Sequence, residues 1–311
     1  MSKLSLVVSL ITQDNDYQIE QASAAEEAAH RLGVDVHVIF ADNDSIQQSQ
    51  QILKFIQSGS APDGIILESV SGTALPQVAR AAAMAGIGWV ALNRHAEYLH
   101  DLRRNYKAPV FALSADNEEV GRIQGRQLEK LLPTGGSVLY IQGPSDSLVG
   151  KTRADGLLKT KPLSVQLKMI RGQWTEASAY KAVNAWLRLS TSQQAHIDAI
   201  VAQNDAMAMG ARKAFQEVSD HDSRQRWISL PYLGCDGVPR TGQAWVRSAS
   251  LAATVAIPPL AGQALDMLVT AIRTGVIPPE VTQVAPQSFP TLDELEKTQF
   301  TKVRAATTKP Y

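Results

Sequence analysis

Short apolar runs alternate along the chain with longer stretches in which apolar residues recur every three or four positions. The runs at residues 4–11 and 34–41 predict strands, and residues 16–32 between them present one apolar helix face that ends at Gly33. The same alternation predicts further strands at 64–69, 88–93, 110–115, 137–143, 167–173, 199–204, 230–236 and 251–256, with helices at 45–58, 72–86, 116–132, 147–158, 174–190 and 205–218. In the helix at 45–58, the residues predicted to face the core are Ile46, Ile52, Leu53 and Ile56. Strands that are apolar throughout and joined by helices predict an α/β fold with parallel sheets covered on both faces.

The number of predicted strands exceeds what one compact doubly wound sheet holds, so we expect two doubly wound, Rossmann-like lobes joined by crossover strands. We place the crossings at 107–110 and 257–260, where proline interrupts helices and ladders. The predicted domains are 1–112 with 258–286 for the N-terminal lobe and 113–257 with 287–311 for the C-terminal lobe, with a ligand cleft between them.

Composition narrows the class of protein further. The 311 residues carry no formal net charge, which gives no general attraction to nucleic acid or to an anionic membrane. The single cysteine, Cys235, excludes an intrachain disulfide. No run reaches the roughly 18 apolar residues that a membrane span requires.

The first apolar run is short, follows a basic residue, and therefore invites comparison with a signal peptide. The polar residues "TQDNDYQ" come directly after it, without a small-residue cleavage site, so we interpret the run as the first strand. Two locations remain open: the periplasm, if an export signal has been removed from the chain, or the cytoplasm.

Polar residues at strand ends are the candidate chemistry, because ligands of parallel α/β sheets bind beyond the carboxyl ends of the strands. The run "AIVAQN" ends at Asn204 and Asp205, directly before a helix. We expect Asp205 to cap that helix and Asn204 to face a ligand. The other strand-end candidates for ligand binding are Asn15, Tyr17, Asn93, Arg94, Arg153, Trp174 and Asp236.

These residue types suit a sugar. Arginine offers a planar fork of donors, asparagine and aspartate add donors and acceptors, and aromatic rings pack against the C–H faces of a sugar ring. The sequence has no serine elbow, no metal-binding helix of the H-E-x-x-H kind and no phosphate loop, so we expect no catalysis, no cofactor and no metal. A sugar hydrolase with paired carboxylates is the enzyme alternative, and Asp236 with Asp146 is the pair it would need.

Structural roles stay open for several candidates. Arg94 is also suited to an interlobe ion pair, and Arg153 to pairing with Asp155 or Asp146. Trp174 is also suited to the core, and Cys235 is better interpreted as a small buried residue than as a reactive thiol.

Several segments together resemble the type I periplasmic sugar-binding proteins, close to the ribose-binding branch, whose fold also forms the effector domain of LacI-type repressors. The segments that carry the resemblance are "SADNEEVGRIQG" (114–125), "RADGL" (153–157), "IVAQNDAMAMGARKA" (200–214), "LGCDGVP" (233–239) and "LAATVA" (251–256). The resemblance implies ligand contacts for the eight candidates named above. It also has departures: Asn93 replaces the aspartate of the family's "D-R" pair, Cys235 replaces an aromatic residue, and Ile257 replaces a glutamine. The lost acceptors suggest a ligand other than ribose.

The resemblance implies a solute-binding protein that captures a small polar ligand, a sugar or sugar derivative, by closure of its lobes. Its expected partner is an ABC-type transporter or a sensor protein in the membrane, and the chain is expected to be a monomer that does not bind nucleic acid. The alternative is a cytoplasmic or sensor-coupled sugar-sensing effector module related to LacI-type regulators, without a DNA-binding domain.

Overall fold

The computed structural model describes residues 3–70, 75–93, 97–189 and 195–297. The chain forms two structural units. Unit 1 comprises Met1–Ala115 and Pro259–Val284, and unit 2 comprises Asp116–Pro258 and Ala285–Tyr311. Among the described residues, no helix has the length and apolar character needed to cross a membrane.

Unit 1 is built on a six-stranded sheet in which every pairing is parallel. Its strands, in the order β11-β5-β4-β3-β1-β2, are β1 (Ser5–Leu10), β2 (Asp35–Phe40), β3 (Gly64–Glu68), β4 (Gly88–Leu92), β5 (Val110–Ala115) and β11 (Val281–Val284). Its helices are α1 (Asp16–Leu32), α2 (Ser45–Ile56), α3 (Leu75–Met84), α4 (Tyr98–Asn105) and α11 (Leu260–Thr274).

Successive residues of the central strands enter two different apolar layers, because side chains alternate between the faces of a sheet. Leu6 and Val8 of β1 pack with α1 and α11, whereas Val7 packs with α2 and α3 on the opposite face. Both layers exclude water, so the strands are apolar throughout, as the sequence predicted. Polar groups are therefore concentrated where the strands end.

Unit 2 has a smaller parallel sheet in the order β7-β6-β8-β9 and a two-stranded antiparallel sheet of β10 with β12. Its strands are β6 (Gly136–Gln142), β7 (Val165–Arg171), β8 (Ala199–Ala202), β9 (Tyr232–Leu233), β10 (Thr254–Ala256) and β12 (Gln287–Phe289). Its helices are α5 (Asn117–Leu131), α6 (Leu148–Thr160), α7 (Glu176–Leu187), α8 (Asp205–Gln216), α9 (His221–Ser229) and α10 (Gly242–Arg247).

Helices α5 and α6 approach each other closely through glycines. A Cβ atom at Gly121 would lie 1.9 Å from the carbonyl oxygen of Arg153, and one at Gly156 would lie 2.0 Å from that of Glu118. Only glycine permits these backbone contacts, and they bring the side chains of Arg153 and Asn117 to hydrogen-bonding distance.

The α/β class and the parallel sheets confirm the predicted fold, while three local predictions differ from the structure. Ile46 is 66% exposed although its helix buries Ile52 completely, because Ile46 lies in the first turn, away from the sheet. Helices α4, α9, α10 and α11 and strands β11 and β12 were not predicted. Helices α4 and α9 are mostly polar and bury few residues, and α10 has only six residues. Helix α11 has a buried apolar face but follows directly on the predicted crossing at 257–260.

The third difference concerns the predicted crossing at 107–110. It leads into β5, whose partners β4 and β11 both belong to unit 1, so the chain leaves unit 1 only after Ala115. The apolar pattern of β5 suits the interior of either sheet, and for this reason the pattern did not reveal which sheet contains it.

Candidate ligand-binding site

Asn204 and Asp205 follow β8, and Asn204 rather than Asp205 caps the helix. Asn204 is the N-cap of α8: its Oδ1 accepts a hydrogen bond from the Met207 amide at 2.9 Å, and its Nδ2 donates to the Trp174 carbonyl at 2.9 Å. Asp205 is the first helical residue and does not cap the helix. Its buried carboxylate instead accepts hydrogen bonds from the Gly237 amide at 2.8 Å and from the Thr254 hydroxyl at 2.7 Å.

Asp205 fixes the loop that carries Asp236. The Asp205 amide donates to the Cys235 carbonyl at 2.6 Å, so the bonds of this one residue hold the chain on both sides of Asp236. A Cβ atom at Gly234 or Gly242 would lie 2.0 Å from a carboxylate oxygen of Asp205. Glycine at both positions therefore makes room for the carboxylate.

Arg153 is the centre of the polar cluster of unit 2. Its buried guanidinium donates to the Gln203 carbonyl at 2.6 Å and to Asn117 Oδ1 at 3.0 Å. It lies 3.9 Å from Asp236 Oδ1 and 5.8 Å from the centre of the Trp174 ring. The structure thus brings together Arg153, Trp174 and Asp236, and it pairs the Arg153 guanidinium with the Asp236 carboxylate.

Gln203 joins this cluster through its backbone carbonyl, which accepts from Arg153, and the sequence did not single it out. Its side chain is fully buried, accepts a hydrogen bond from the Gly143 amide at 2.8 Å, and donates to the Tyr140 hydroxyl and to the Gly150 carbonyl, each at 2.7 Å. Burial raises the pKa of the Tyr140 hydroxyl, against the opposing effect of its hydrogen bond with Gln203. The sequence signal that could have identified Gln203 is its position as a polar residue directly after the apolar run 199–202.

Trp174 has a left-handed backbone with a φ of 65° and packs against Gly143. A Cβ atom at Gly143 would lie 2.3 Å from the Trp174 ring, so the ring occupies the space that glycine leaves. Cys235 is fully buried nearby, and burial raises the pKa of its thiol. A thiol that stays protonated supports the interpretation of Cys235 as a small core residue.

Unit 1 has its own strand-end cluster, which begins at Asn15. Asn15 is the N-cap of α1, and its Oδ1 accepts hydrogen bonds from the amides of Tyr17 at 2.9 Å and Gln18 at 3.4 Å. Tyr17 is buried in the first turn of the same helix. The predicted pair is therefore ordered by the start of α1.

Glu68, at the end of β3, is the second residue that the sequence analysis missed. Its carboxylate accepts hydrogen bonds from Asn93 Nδ2 at 3.0 Å and from Gln18 Nε2 at 2.8 Å, with Gln21 Nε2 at 3.5 Å. Asn93 thus lies beside a buried carboxylate that belongs to the neighbouring strand. Arg94, the remaining candidate, lies outside the described residues.

Three of the predicted residues have left-handed backbone conformations, as do Asp42, Asn43 and Ala249. Besides glycines, the described residues with positive φ include Asn93 at 55°, Trp174 at 65° and Asp236 at 108°. Such conformations each cost on the order of 1–3 kcal/mol and concentrate at binding sites, where the surrounding structure enforces them. Within the described ranges, no group of three or more His, Cys, Asp or Glu side chains is placed to hold a metal ion.

Each unit therefore has a set of polar and aromatic side chains at the carboxyl ends of its parallel strands. A family model described as a periplasmic binding protein domain matches residues 6–275. The chain belongs to the periplasmic binding protein family, which confirms the resemblance found in its motifs.

Curated relatives and solved structures agree with this assignment. The chain is 24% identical over 257 residues to the ribose import binding protein RbsB of Escherichia coli K12, covering 82% of this chain and 80% of the relative. It is 26% identical over 276 residues to the D-allose-binding periplasmic protein of the same organism, covering 88% and 86%.

Solved structures share the fold over nearly the whole chain. A periplasmic solute-binding protein from Actinobacillus succinogenes with bound D-allose aligns with a TM-score of 0.79 at 21% identity, covering 95% of this chain and 100% of that one. The Caulobacter myo-inositol binding protein bound to myo-inositol aligns with a TM-score of 0.76 at 22% identity, covering 95% and 96%.

Proposed function

We propose that this chain is a solute-binding protein that captures a sugar or sugar derivative for an ABC-type transporter. The observation that carries the proposal is the cluster of Arg153, Trp174 and Asp236, in which a donor fork, an aromatic face and a carboxylate lie together and two of the three backbones are left-handed. The hydroxyl groups of a sugar can hydrogen-bond to the arginine and the carboxylate, and its C–H faces can pack on the tryptophan ring.

Each residue has a role that follows from its chemistry. Arg153 donates to ligand oxygens, Asp236 accepts from ligand hydroxyls, and the Trp174 ring packs on the ligand. Asn204 contributes as a contact and also holds the Trp174 backbone through its amide. From unit 1 we propose contacts by Asn15, Tyr17, Asn93 and Arg94, so that closure of both units on the ligand produces binding.

The relatives support the finer parts of this proposal. They are binding proteins whose names place them in the periplasm or in import, which favours a periplasmic location, a transporter partner and binding without catalysis. They also favour the solute-binding role over the alternative of an effector module. We propose that the chain acts as a monomer and does not bind nucleic acid.

A thermal-shift screen with D-allose, D-ribose, D-xylose and myo-inositol tests the proposal. A ligand that binds only the folded protein and is present at a hundred times its Kd adds about 2.7 kcal/mol of stability, which raises the Tm of a chain of this length by about 4 °C. We expect that shift for at least one compound.

The variants identify the site. We expect the shift to disappear in Asp236→Asn, Trp174→Ala and Asn93→Ala, because each removes a proposed contact. Asp222→Asn is the matched control, since the Asp222 side chain is fully exposed in the same unit as Asp236. The absence of any shift in the unaltered protein would contradict the proposed ligand class, and a shift that survives in all three variants would contradict the site.

A further inference from the structure

We propose that Gln124, a glutamine of α5, is a positioning residue that holds the strand ends carrying Asn204 and Asp236 in place for ligand binding. The side chain of Gln124 is fully buried, so it acts through other residues and not by touching a ligand. The inference rests on the proposed function and deepens it, because it concerns what keeps the proposed contacts of unit 2 ordered.

Gln124 bridges two neighbouring strands at the point where their ladder stops. The last pair of the ladder between β8 and β9 is Val201 with Leu233, so Ala202 and Gly234 are next in register. The Nε2 of Gln124 donates to the carbonyl of Ala202 at 2.9 Å and to that of Gly234 at 3.0 Å. One side-chain amide therefore continues the link between the two strands where their backbones no longer pair.

Both bridged residues lead directly into the proposed site. Ala202 precedes Asn204 by two residues, and Gly234 precedes Asp236 by two residues. Two residues extend over about 7 Å at most, so a displacement of either bridged carbonyl is passed on to the residue that would meet the ligand. The separation of Asn204 and Asp236 therefore depends on the Gln124 amide.

Helix α5 supplies further amides on the face that carries Gln124. Asn117 and Gln127 lie seven residues before and three residues after Gln124, a spacing that keeps all three on one side of a helix. Asn117 Oδ1 accepts from the Arg153 guanidinium at 3.0 Å. Gln127 Nε2 donates to a backbone carbonyl of β10 and to a side-chain hydroxyl of β12, each at 3.0 Å. One rigid helix thus fixes Arg153 and the ends of β8 and β9 relative to each other.

Stability alone does not account for glutamine at this position. Within the described part of the chain, the buried Oε1 atoms of Gln124 and Gln127 have no hydrogen-bond partner. An unpaired buried acceptor lowers the free energy of unfolding, which an apolar side chain of the same length would avoid. Replacing Gln124 by methionine removes this unfavourable group together with two favourable bonds. We therefore expect that change to affect the order of the strand ends more than the overall stability.

Two variants of Gln124 and one control test the inference in the full chain. Gln124→Met keeps the length of the side chain and removes both donors. Gln124→Asn keeps the amide but shortens the side chain by one methylene, so the amide no longer spans both carbonyls. Leu131→Ala truncates a buried residue of the same helix, about 10 Å further along its axis, and controls for a general loss of stability.

Hydrogen exchange of the ligand-free proteins, measured by mass spectrometry, reports the order of the strand end directly. The amides of Gly234 and Asp236 donate to backbone carbonyls at 3.0 and 2.9 Å, so they are protected in the unaltered chain. We expect residues 234–237 to exchange about three- to tenfold faster in both Gln124 variants, the range that corresponds to losing a hydrogen bond. In Leu131→Ala we expect no selective change at these residues.

Isothermal titration calorimetry with D-allose, D-ribose, D-xylose and myo-inositol measures the consequence for binding, at a temperature where every variant is folded. We expect both Gln124 variants to bind the best probe about tenfold more weakly, because losing the partners that orient binding groups has effects of that order in metal sites. Leu131→Ala should bind within about twofold of the unaltered chain, since sites this far apart act independently.

Two results would overturn the inference. One is an affinity of the Gln124 variants within about twofold of the unaltered chain although they unfold at a lower urea concentration, which is the result of a structural role alone. The other is faster exchange spread evenly over unit 2, as in a generally destabilised protein. If Gln124→Met does not fold, Gln124→Asn decides by the same two measurements.

The two measurements also separate this inference from the proposed function. If the unaltered chain binds no probe, the proposed ligand class fails, while hydrogen exchange still shows whether Gln124 orders residues 234–237. If the unaltered chain binds a probe and the Gln124 variants bind it equally well, only the inference about Gln124 fails.

Discussion

Asp205 offers the sharpest test of how unit 2 holds its binding residues. Its carboxylate accepts two short hydrogen bonds in a fully buried environment, from the Gly237 amide and the Thr254 hydroxyl. Hydrogen bonds to a charged group each contribute about 1.5–3 kcal/mol. Asp205→Ala leaves both donors buried without this acceptor, so we expect it to lower the free energy of unfolding by about 3–6 kcal/mol.

Asp205→Asn is the milder change. The asparagine oxygen still accepts from Gly237, and its NH₂ group faces the Thr254 hydroxyl, which turns to accept. The variant loses the charge at the first position of α8, which is worth about 0.3–1 kcal/mol, and part of the strength of each bond. We therefore expect a loss of about 1–3 kcal/mol.

Urea unfolding followed by tryptophan fluorescence measures both variants, with Asp222→Asn as the exposed control. Ligand affinity is the second measurement, because Asp205 fixes the loop that carries Asp236. We expect the asparagine variant to bind more weakly at a temperature where it is fully folded. The reasoning is refuted if Asp205→Asn unfolds at the same urea concentration as the control and binds ligand equally well.

Two further predictions follow from the packing of unit 2. Gly143→Ala places a Cβ atom 2.3 Å from the Trp174 ring and should displace the ring and weaken ligand binding in calorimetry, whereas Gly59→Ala, which meets nothing within 4 Å, should not. Cys235 should resist iodoacetamide at pH 8 in the folded protein and react on unfolding, because burial raises the pKa of its thiol. Above its ordinary pKa of 9.0 the unfolded thiol ionises while the folded one keeps its proton. Stability should therefore decline as pH rises above 9, and less steeply in Cys235→Ala, as urea titrations at pH 8–10.5 would measure.

The sequence predicted the strands well because the central strands are buried on both faces, where only apolar residues fit. It predicted the polar helices poorly because they bury few side chains and so need few apolar residues. Helix α9 buries only Trp227, so its pattern has almost no periodic apolar face. Which sheet contains β5 is decided by its pairing with β4 and β11. Strand β11 is distant in sequence, and a local pattern does not encode that contact.

The candidate site was predictable where position in the fold determines exposure to a ligand. Trp174 and Asp236 follow strands, Arg153 lies in the second turn of the helix after β6, and the structure brings the three together. The helix cap was predicted at Asp205 instead of Asn204 because a helix start is uncertain by a residue, and one residue decides which side chain caps the helix. Neither residue type distinguishes the two roles.

Glu68 and Gln203 were missed because each is the polar end of a run that otherwise predicts a buried strand. Their importance lies in their partners, which are backbone groups and amides contributed by other elements. In each unit the hydrogen bonds of a buried glutamine fix the orientation of its side-chain amide: Gln203 in unit 2, and Gln18 in unit 1.

Glu68 and Asn93 form a hydrogen-bonded pair whose members cannot be changed independently. Asn93→Asp alone would put a second carboxylate at the position where an amide now donates to Glu68 across 3.0 Å. Two carboxylates at that distance do not both remain ionised, and one would take up a proton or turn away. Only the simultaneous change of Glu68 to asparagine restores a donor beside an acceptor. We therefore expect the double variant Glu68→Asn with Asn93→Asp to unfold at a urea concentration close to that of the unaltered chain, and Asn93→Asp alone to unfold at a lower one.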